Sequence, residues 1–295
     1  MPRQYLERSN QRSIAEDYSG DILLWDIDKT YLNTHFSSLR GLAAIPFEFA
    51  IDKEAVPGTV PLLRALRRGP GNDSALTPLY FVSGSPPQLR SVVERKMTLD
   101  GVDFDGITFK DQWGLLRAGR IRDVKGQMGY KLSALLLYRQ DIPSKDARWL
   151  MFGDDVEQDA KVFTLFGEVC AGLRGAALVR ELEKGNVHHD DIQNIESLCG
   201  TLTPAQNPIG KVFIHLSKGR DPSEFSSDYV VPIRSFLQAA FVLAELGCIR
   251  YDVVTAVATD IRRAGRLPES VLEQEMDDAR KRLHISKETL AHAAR

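Results

Sequence analysis

Short apolar runs without helical spacing alternate along this chain with segments whose apolar residues recur at helical spacing. One such run covers residues 22–27 between Gly20 and a polar stretch, and similar runs lie at 79–82 and 148–152. Runs that are apolar at every position are typical of strands buried on both faces. Strands joined through helices by short loops favour a mostly parallel sheet with helices on both faces. The sequence therefore predicts an α/β fold.

Weaker signals complete the predicted order of elements. Two more strands are expected at 107–109 and at 211–216, the second as the last strand of the sheet. Helical spacing, proline starts and glycine stops predict the helices. They are expected at about 57–66, 86–97, 131–136, 158–166, 176–184, 190–199, 232–246, 251–264 and 268–283.

These elements suggest three parts for the 295-residue chain. Residues 1–20 are a polar N-terminal segment, and 21–220 form the α/β domain, with a helical insertion at about 168–205. Residues 221–295 are expected to form a helical C-terminal extension packed on that domain. A chain of this length can bury a sizeable core without disulfides.

The composition excludes several classes of protein. Because 38 basic and 40 acidic side chains leave a net charge of only −2, no global field favours nucleic acid or an anionic membrane. The three widely spaced cysteines do not suggest a disulfide framework. The charged N-terminal residues do not resemble a signal peptide, and the longest apolar segment, at 236–249, is too short to span a bilayer. We expect a cytoplasmic protein without a transmembrane segment; its oligomeric state is not predicted.

Residues with chemical potential cluster where predicted strands end or helices begin. Parallel α/β sheets bind ligands at the carboxyl ends of their strands, where chain reversals gather polar groups. The residues in such places are Asp26, Asp28, Thr30, Ser83, Gly84, Lys131, Asp154, Asp155 and Asp159.

This set of side chains fits phosphoryl transfer. Several converging carboxylates repel one another unless a divalent cation lies among them, and an all-oxygen shell suits Mg²⁺. Asp26 is then expected to act as the nucleophile, and Asp28 as the acid and base that serves the leaving oxygen and the attacking water. Lys131 would balance the charge of the transferred group. Ser83 and the backbone of the Gly84 turn would hydrogen-bond the phosphoryl oxygens.

Four segments of the sequence resemble the motifs of the haloacid dehalogenase (HAD) superfamily of phosphohydrolases. They are WDIDKT at 25–30, FVSGS at 81–85, Lys131 within GYKLSALL, and FGDDVEQD at 152–159. Within that superfamily, DIDKT, FVSGSPPQLR, KLSALL and GDDVEQDAKVF are similar to the catalytic domain of actin-patch-type phosphatidate phosphatases. The resemblance covers about residues 21–166 and extends at most to 216.

The resemblance implies a HAD-like, Rossmann-like sheet and assigns roles to residues. It implies Mg²⁺ held by the Asp26 carboxylate, the Asp28 carbonyl and a fourth-motif acid, with Thr30 in the substrate site and Asp159 orienting Lys131. Asp155 stands where the subfamily often has serine, so the choice between Asp154 and Asp155 as the main ligand stays open. Residues 31–56 lie where the superfamily has a flap or small cap.

Several alternatives stay open at this stage. Lys125 competes with Lys131, although only Lys131 begins a helix. The expected substrate is a phosphatidate-like lipid phosphate, a soluble phosphomonoester or a phosphoprotein, and the sequence contains no clear membrane anchor. A receiver-like domain that carries phospho-aspartate uses a similar acidic cluster, and an inactive HAD fold would act as a binding module. Both are less favoured, because a receiver does not need Asp28 and because unneeded buried charges are costly.

Overall fold

A single seven-stranded sheet organises the computed structural model, which describes residues 4–33, 54–71, 75–225, 227–265 and 268–293. The strands are β1 (Leu6–Asn10), β2 (Asp21–Asp26), β3 (Leu79–Ser83), β4 (Gly106–Lys110), β5 (Arg148–Asp154), β6 (Ile209–His215) and β7 (Val230–Ile233). Their order in the sheet is β1-β4-β3-β2-β5-β6-β7. Only the β1–β4 pair is antiparallel. The mostly parallel α/β sheet predicted from the sequence is thus confirmed.

Helices cover both faces of this sheet within the described residues. They are α1 (Thr59–Arg68), α2 (Arg90–Leu99), α3 (Gln112–Arg117), α4 (Met128–Asp141), α5 (Asp159–Cys170), α6 (Gly175–Lys184), α7 (His189–Thr201), α8 (Phe236–Glu245), α9 (Tyr251–Arg263), α10 (Glu269–Arg282) and α11 (Lys287–Ala291). No helix in these ranges is both long enough and apolar enough to cross a bilayer.

The central strand β2 supplies both hydrophobic cores because successive side chains of a strand point to opposite faces. Leu23 and Trp25 belong to the core that also contains residues of α1, α2 and α8–α11. Ile22 and Leu24 belong to the second core, with residues of α4–α7. The C-terminal helices therefore share one core with the strand that ends at Asp26.

An aromatic stack joins the C-terminal helices to the middle of the sheet. The Trp25 and Phe152 rings are stacked with centroids 3.9 Å apart, and Phe236 of α8 stacks on Trp25 at 5.5 Å. Trp25 precedes Asp26, and Phe152 lies two residues before Asp154. The packing of α8 thus bears directly on the strands that carry both aspartates.

The sheet extends beyond both predicted limits of the α/β domain. β1 lies in the segment that we expected to be only polar, and β7 lies beyond residue 220. β1 has the sequence LERSN and is only partly buried, so no run of apolar residues marks it. Residues 232–246, predicted as one helix, contain the end of β7 and all of α8. Pro232 is tolerated in β7 because this is an edge strand.

The segment predicted as a helical insertion forms the connection between β5 and β6. Its helices α6 and α7 lie on the same face as α4, and α4 packs against α7. This segment therefore covers one face of the sheet between two adjacent parallel strands.

Candidate functional site

Three neighbouring strands bring the predicted site residues to one edge of the sheet. β3, β2 and β5 are adjacent and parallel, and they end at Ser83, Asp26 and Asp154. All three end residues are buried. The carboxyl edge of the central strands is therefore polar although it lies inside the protein.

A tight turn after β2 directs Asp28 and Thr30 into this edge. The carbonyl of Ile27 accepts hydrogen bonds from the N–H groups of Tyr31, at 3.0 Å, and Leu32, at 2.8 Å. The turn requires a left-handed backbone at Lys29, with φ of 64°, a conformation that glycine adopts more readily. Thr30 is fully buried, and its hydroxyl has no hydrogen-bond partner among the described residues.

The turn after β3 holds Asp28 from the other side. Ser83 Oγ and Ser85 Oγ each donate a hydrogen bond of 2.9 Å to Asp28 Oδ2. The Ser85 N–H donates to Ser83 Oγ at 3.0 Å, which fixes the turn around Gly84. Ser83, predicted to bind phosphoryl oxygens, thus contacts the predicted acid and base in this structure.

Lys131 lies in the first turn of α4 and is completely buried among carboxylates. Its Nζ is 2.8 Å from Asp26 Oδ1, 2.6 Å from Glu157 Oε2, and also paired with Asp159 Oδ1. Burial alone would lower the pKa of Lys131, but Asp159, Asp26 and Glu157 together raise it well above its ordinary value. The three carboxylates thus favour the charged form of Lys131. The rival Lys125 is exposed.

Asp26, Asp154 and Asp159 form a group able to hold a metal ion. One carboxylate oxygen from each lies within 4.8 Å of the others. Asp26 Oδ2 and Asp154 Oδ2 are buried and have no hydrogen-bond partner among the described residues. Burial raises the pKa of Asp26 well above its ordinary value, against the opposing effect of Lys131. Burial, reinforced by Asp159, raises the pKa of Asp154 to about 7. A cation between these oxygens would remove both penalties.

Asp159 links this group to the lysine. One of its oxygens pairs with Lys131, and the other accepts a hydrogen bond of 3.1 Å from the Asp154 N–H. A Cβ on Gly153 would lie 2.4 Å from Asp159 Oδ2, so this close approach requires glycine. Asp159 thus contacts Lys131, the residue that the resemblance predicts it to orient.

Asp155 does not belong to the group of carboxylates that could hold a metal ion. Its oxygens accept hydrogen bonds from Ser217 Oγ at 3.0 Å and from the N–H groups of Lys218, at 2.9 Å, and Arg220, at 3.4 Å. Asp155 therefore fastens the loop after β6 to the loop after β5. Of the two fourth-motif acids that the sequence left open, the geometry favours Asp154 as the metal ligand.

Three further residues at this edge were missing from the sequence-based set. They are Ser85, Gln127 and Glu157. Ser85 repeats Ser83 in the turn SGS, and Glu157 is the remaining acid of GDDVEQD, so both segments held a signal. Gln127 immediately precedes α4 and had none.

Most of the predicted flap lies outside the described ranges, and the side chains of two other polar residues make contacts elsewhere. Residues 34–53, which make up most of the predicted flap or cap at 31–56, are outside the described residues. His188 caps α7 by accepting a hydrogen bond of 3.2 Å from the Asp190 N–H. Arg220 pairs with Glu224 on the surface.

Comparisons with known proteins give no independent identification. No protein-family model matches this chain, and no characterised protein or solved structure is significantly similar to it. The function must be argued from the residues at the carboxyl edge of the sheet.

Proposed function

We propose that this protein is a Mg²⁺-dependent phosphatase of the HAD type that acts through an aspartyl-phosphate on Asp26. The observation that carries the proposal is the group formed by Asp26 and Asp154 at adjacent strand ends with Lys131 and Asp159 from the first turns of α4 and α5. The unpartnered oxygens of Asp26 and Asp154 fit a hard cation that prefers oxygen ligands. Mg²⁺ bound there would supply positive charge to the phosphoryl oxygens.

The chain's own residues suffice for a balanced reaction. Asp26 attacks phosphorus, the bond from phosphorus to the leaving oxygen breaks, and Asp28 donates a proton to that oxygen. Asp28 then takes a proton from water, whose oxygen attacks phosphorus and releases inorganic phosphate from Asp26. Lys131 balances negative charge throughout and keeps Asp26 Oδ1 oriented, at 2.8 Å.

Asp28 is well placed to act as the acid and base of this reaction. Ser83 and Ser85 donate to one of its oxygens, which orients the carboxyl group beside the end of β2. A receiver-like domain would need no such group after the phosphorylated aspartate, so the held position of Asp28 favours hydrolysis over storage of phosphate. The proposed substrates are soluble phosphomonoesters and lipid phosphates.

A hydrolysis screen tests the proposed function. The protein would be incubated with Mg²⁺ and an aryl phosphate, phosphatidate, sugar phosphates, nucleotides and phosphopeptides, and phosphate release measured. We expect turnover that disappears with a metal chelator and in Asp26→Asn. Turnover that persists in Asp26→Asn would reject the nucleophile. A stable phospho-aspartate without turnover would support the receiver, and no reaction at all would support a binding module.

A further inference from the structure

The side chain of Glu157 contacts the two hydrogen-bond donors beside Asp26, Lys131 Nζ and Gln127 Nε2. Glu157 lies in the turn between β5 and α5, and its side chain is 11% exposed. Its Oε2 is 2.6 Å from Lys131 Nζ, and its Oε1 accepts a hydrogen bond of 2.9 Å from Gln127 Nε2. The carboxylate thus contacts both the cation and a neutral donor beside Asp26.

The side-chain amide of Gln127 contacts two loops, the turn after β3 and the turn before α5 that contains Glu157. A Cβ on Gly84 would lie 2.9 Å from Gln127 Nε2 and 3.0 Å from its Oε1, so the amide lies against the turn after β3. Because Oε1 of Glu157 only accepts hydrogen bonds, the amide nitrogen must face it. The donor of Gln127 therefore points at the region between the Gly84 turn and Lys131.

The carboxylates around Lys131 oppose the approach of another anion. Its ammonium already contacts the carboxylates of Asp26, Asp159 and Glu157. A phosphoryl dianion brought to this lysine would be repelled at short range by all three. Asp26 and Asp159 are fully buried at a strand end and a helix start, whereas Glu157 lies in a turn. Of the three carboxylates, only Glu157 lies outside the regular elements and is partly exposed, so its side chain can move without displacing a strand or a helix.

We propose that Gln127 Nε2 and Lys131 Nζ are donors to the phosphoryl oxygens, and that the Glu157 carboxylate occupies the phosphoryl position until substrate displaces it. The inference rests on the proposed function for the identity of the anion. Gln127 is then a binding residue, and Glu157 is a competing internal anion that sets the affinity for phosphate.

Binding of inorganic phosphate tests this arrangement without turnover. The parent, Glu157→Gln and Gln127→Met proteins would be titrated with phosphate in the presence of Mg²⁺ by calorimetry. Removing the competing charge should tighten phosphate binding about tenfold. Removing the donor should weaken it about tenfold. Glu168→Gln, which removes an exposed carboxylate from α5, is the matched control and should change the affinity less than about twofold.

The outcomes separate the inference from the proposed function. Glu157→Ala repeats the test by deleting the group, and thermal melts establish that each variant folds. Phosphate binding that is unchanged or weaker in both Glu157 variants overturns the inference, as does failure of both parent and variants to bind phosphate. The expected pattern in a protein that hydrolyses no phosphomonoester would support the inference and reject the phosphatase. Hydrolysis by the parent without the expected pattern would reject the inference alone.

Discussion

The two ends of the sheet differ in whether their buried carboxylates have hydrogen-bond partners. At the amino ends of β3 and β4, Asp105 pairs with Arg67, and both carboxylate oxygens accept hydrogen bonds, including one of 2.9 Å from the Leu79 N–H. At the carboxyl ends, Lys131 faces three carboxylates, and oxygens of Asp26 and Asp154 have no hydrogen-bond partner among the described residues. A buried acid whose oxygens are satisfied holds the fold together, whereas an unsatisfied group of acids indicates a ligand.

Replacing Asp26 should give the largest effect, and it should fall on chemistry. Asp26→Asn removes the proposed nucleophile, so hydrolysis of an aryl phosphate should fall by at least about a thousandfold. Because burial already disfavours the charged form of Asp26, the free energy of unfolding should change by less than about 1 kcal/mol. Steady-state kinetics and urea unfolding measure the two quantities. A large loss of stability in Asp26→Asn would contradict the comparison, because Asp26 would then stabilise the fold as Asp105 does.

Replacing Asp105 should produce the reverse pattern. Asp105→Asn leaves the Arg67 guanidinium buried without its charge partner, which should cost about 3 kcal/mol of unfolding free energy. The turnover per folded molecule should stay within about twofold of the parent, because this pair lies at the opposite end of the strands. Urea unfolding and active-site titration would check both statements. Lost turnover in fully folded protein would contradict the comparison.

Metal binding should depend on pH through Asp154. Its raised pKa, about 7 against an ordinary 3.8, means that folded protein binds a proton that the unfolded chain releases between those values. The metal-free protein should therefore lose stability as the pH rises through this window. Mg²⁺ requires the ionised form, so its stabilising effect should be larger at about pH 8 than at about pH 5.5. Thermal melts with and without Mg²⁺ measure this, and an equal effect at both pH values would remove Asp154 from the metal site.

The smallest effect should come from Asp155. Asp155→Ala breaks the link to residues 217–220 and should cost about 1–2 kcal/mol of unfolding free energy. Its Mg²⁺ affinity should change less than about threefold, whereas Asp154→Ala should weaken Mg²⁺ binding at least about a hundredfold. Calorimetric titration of the two variants with Mg²⁺ compares them directly. The opposite ranking would assign the ligand role to Asp155.

The sequence predicted those strands whose burial leaves a local pattern of apolar residues. Continuous apolar runs identified β2, β3 and β5 because these strands are buried on both faces, and the acids that follow them are therefore known to share an edge. β1 was missed because its sequence, LERSN, has no apolar pattern, and β7 was missed because its apolar residues run into Pro232, which was interpreted as the start of a helix.

At the candidate site, too, the sequence predicted only those residues whose position follows from local pattern. The ends of parallel strands could be inferred from the order of elements, which gave Asp26, Ser83 and Asp154. Gln127 reaches the site only through packing of the loop before α4 against the Gly84 turn, and no spacing rule encodes that contact. The choice between Asp154 and Asp155 depended on a hydrogen bond to Ser217, which lies 62 residues away in sequence.

The stacking of Phe236 on Trp25 also sets an order of events during synthesis. Strand β2 leaves the ribosome more than two hundred residues before α8 does, so Trp25 lacks its Phe236 neighbour while the intervening chain is made. Helices α1 and α2 belong to the same core and emerge earlier, so they can cover part of this face first. The core beside the strand that ends at Asp26 would then be completed late, after translation of the C-terminal helices.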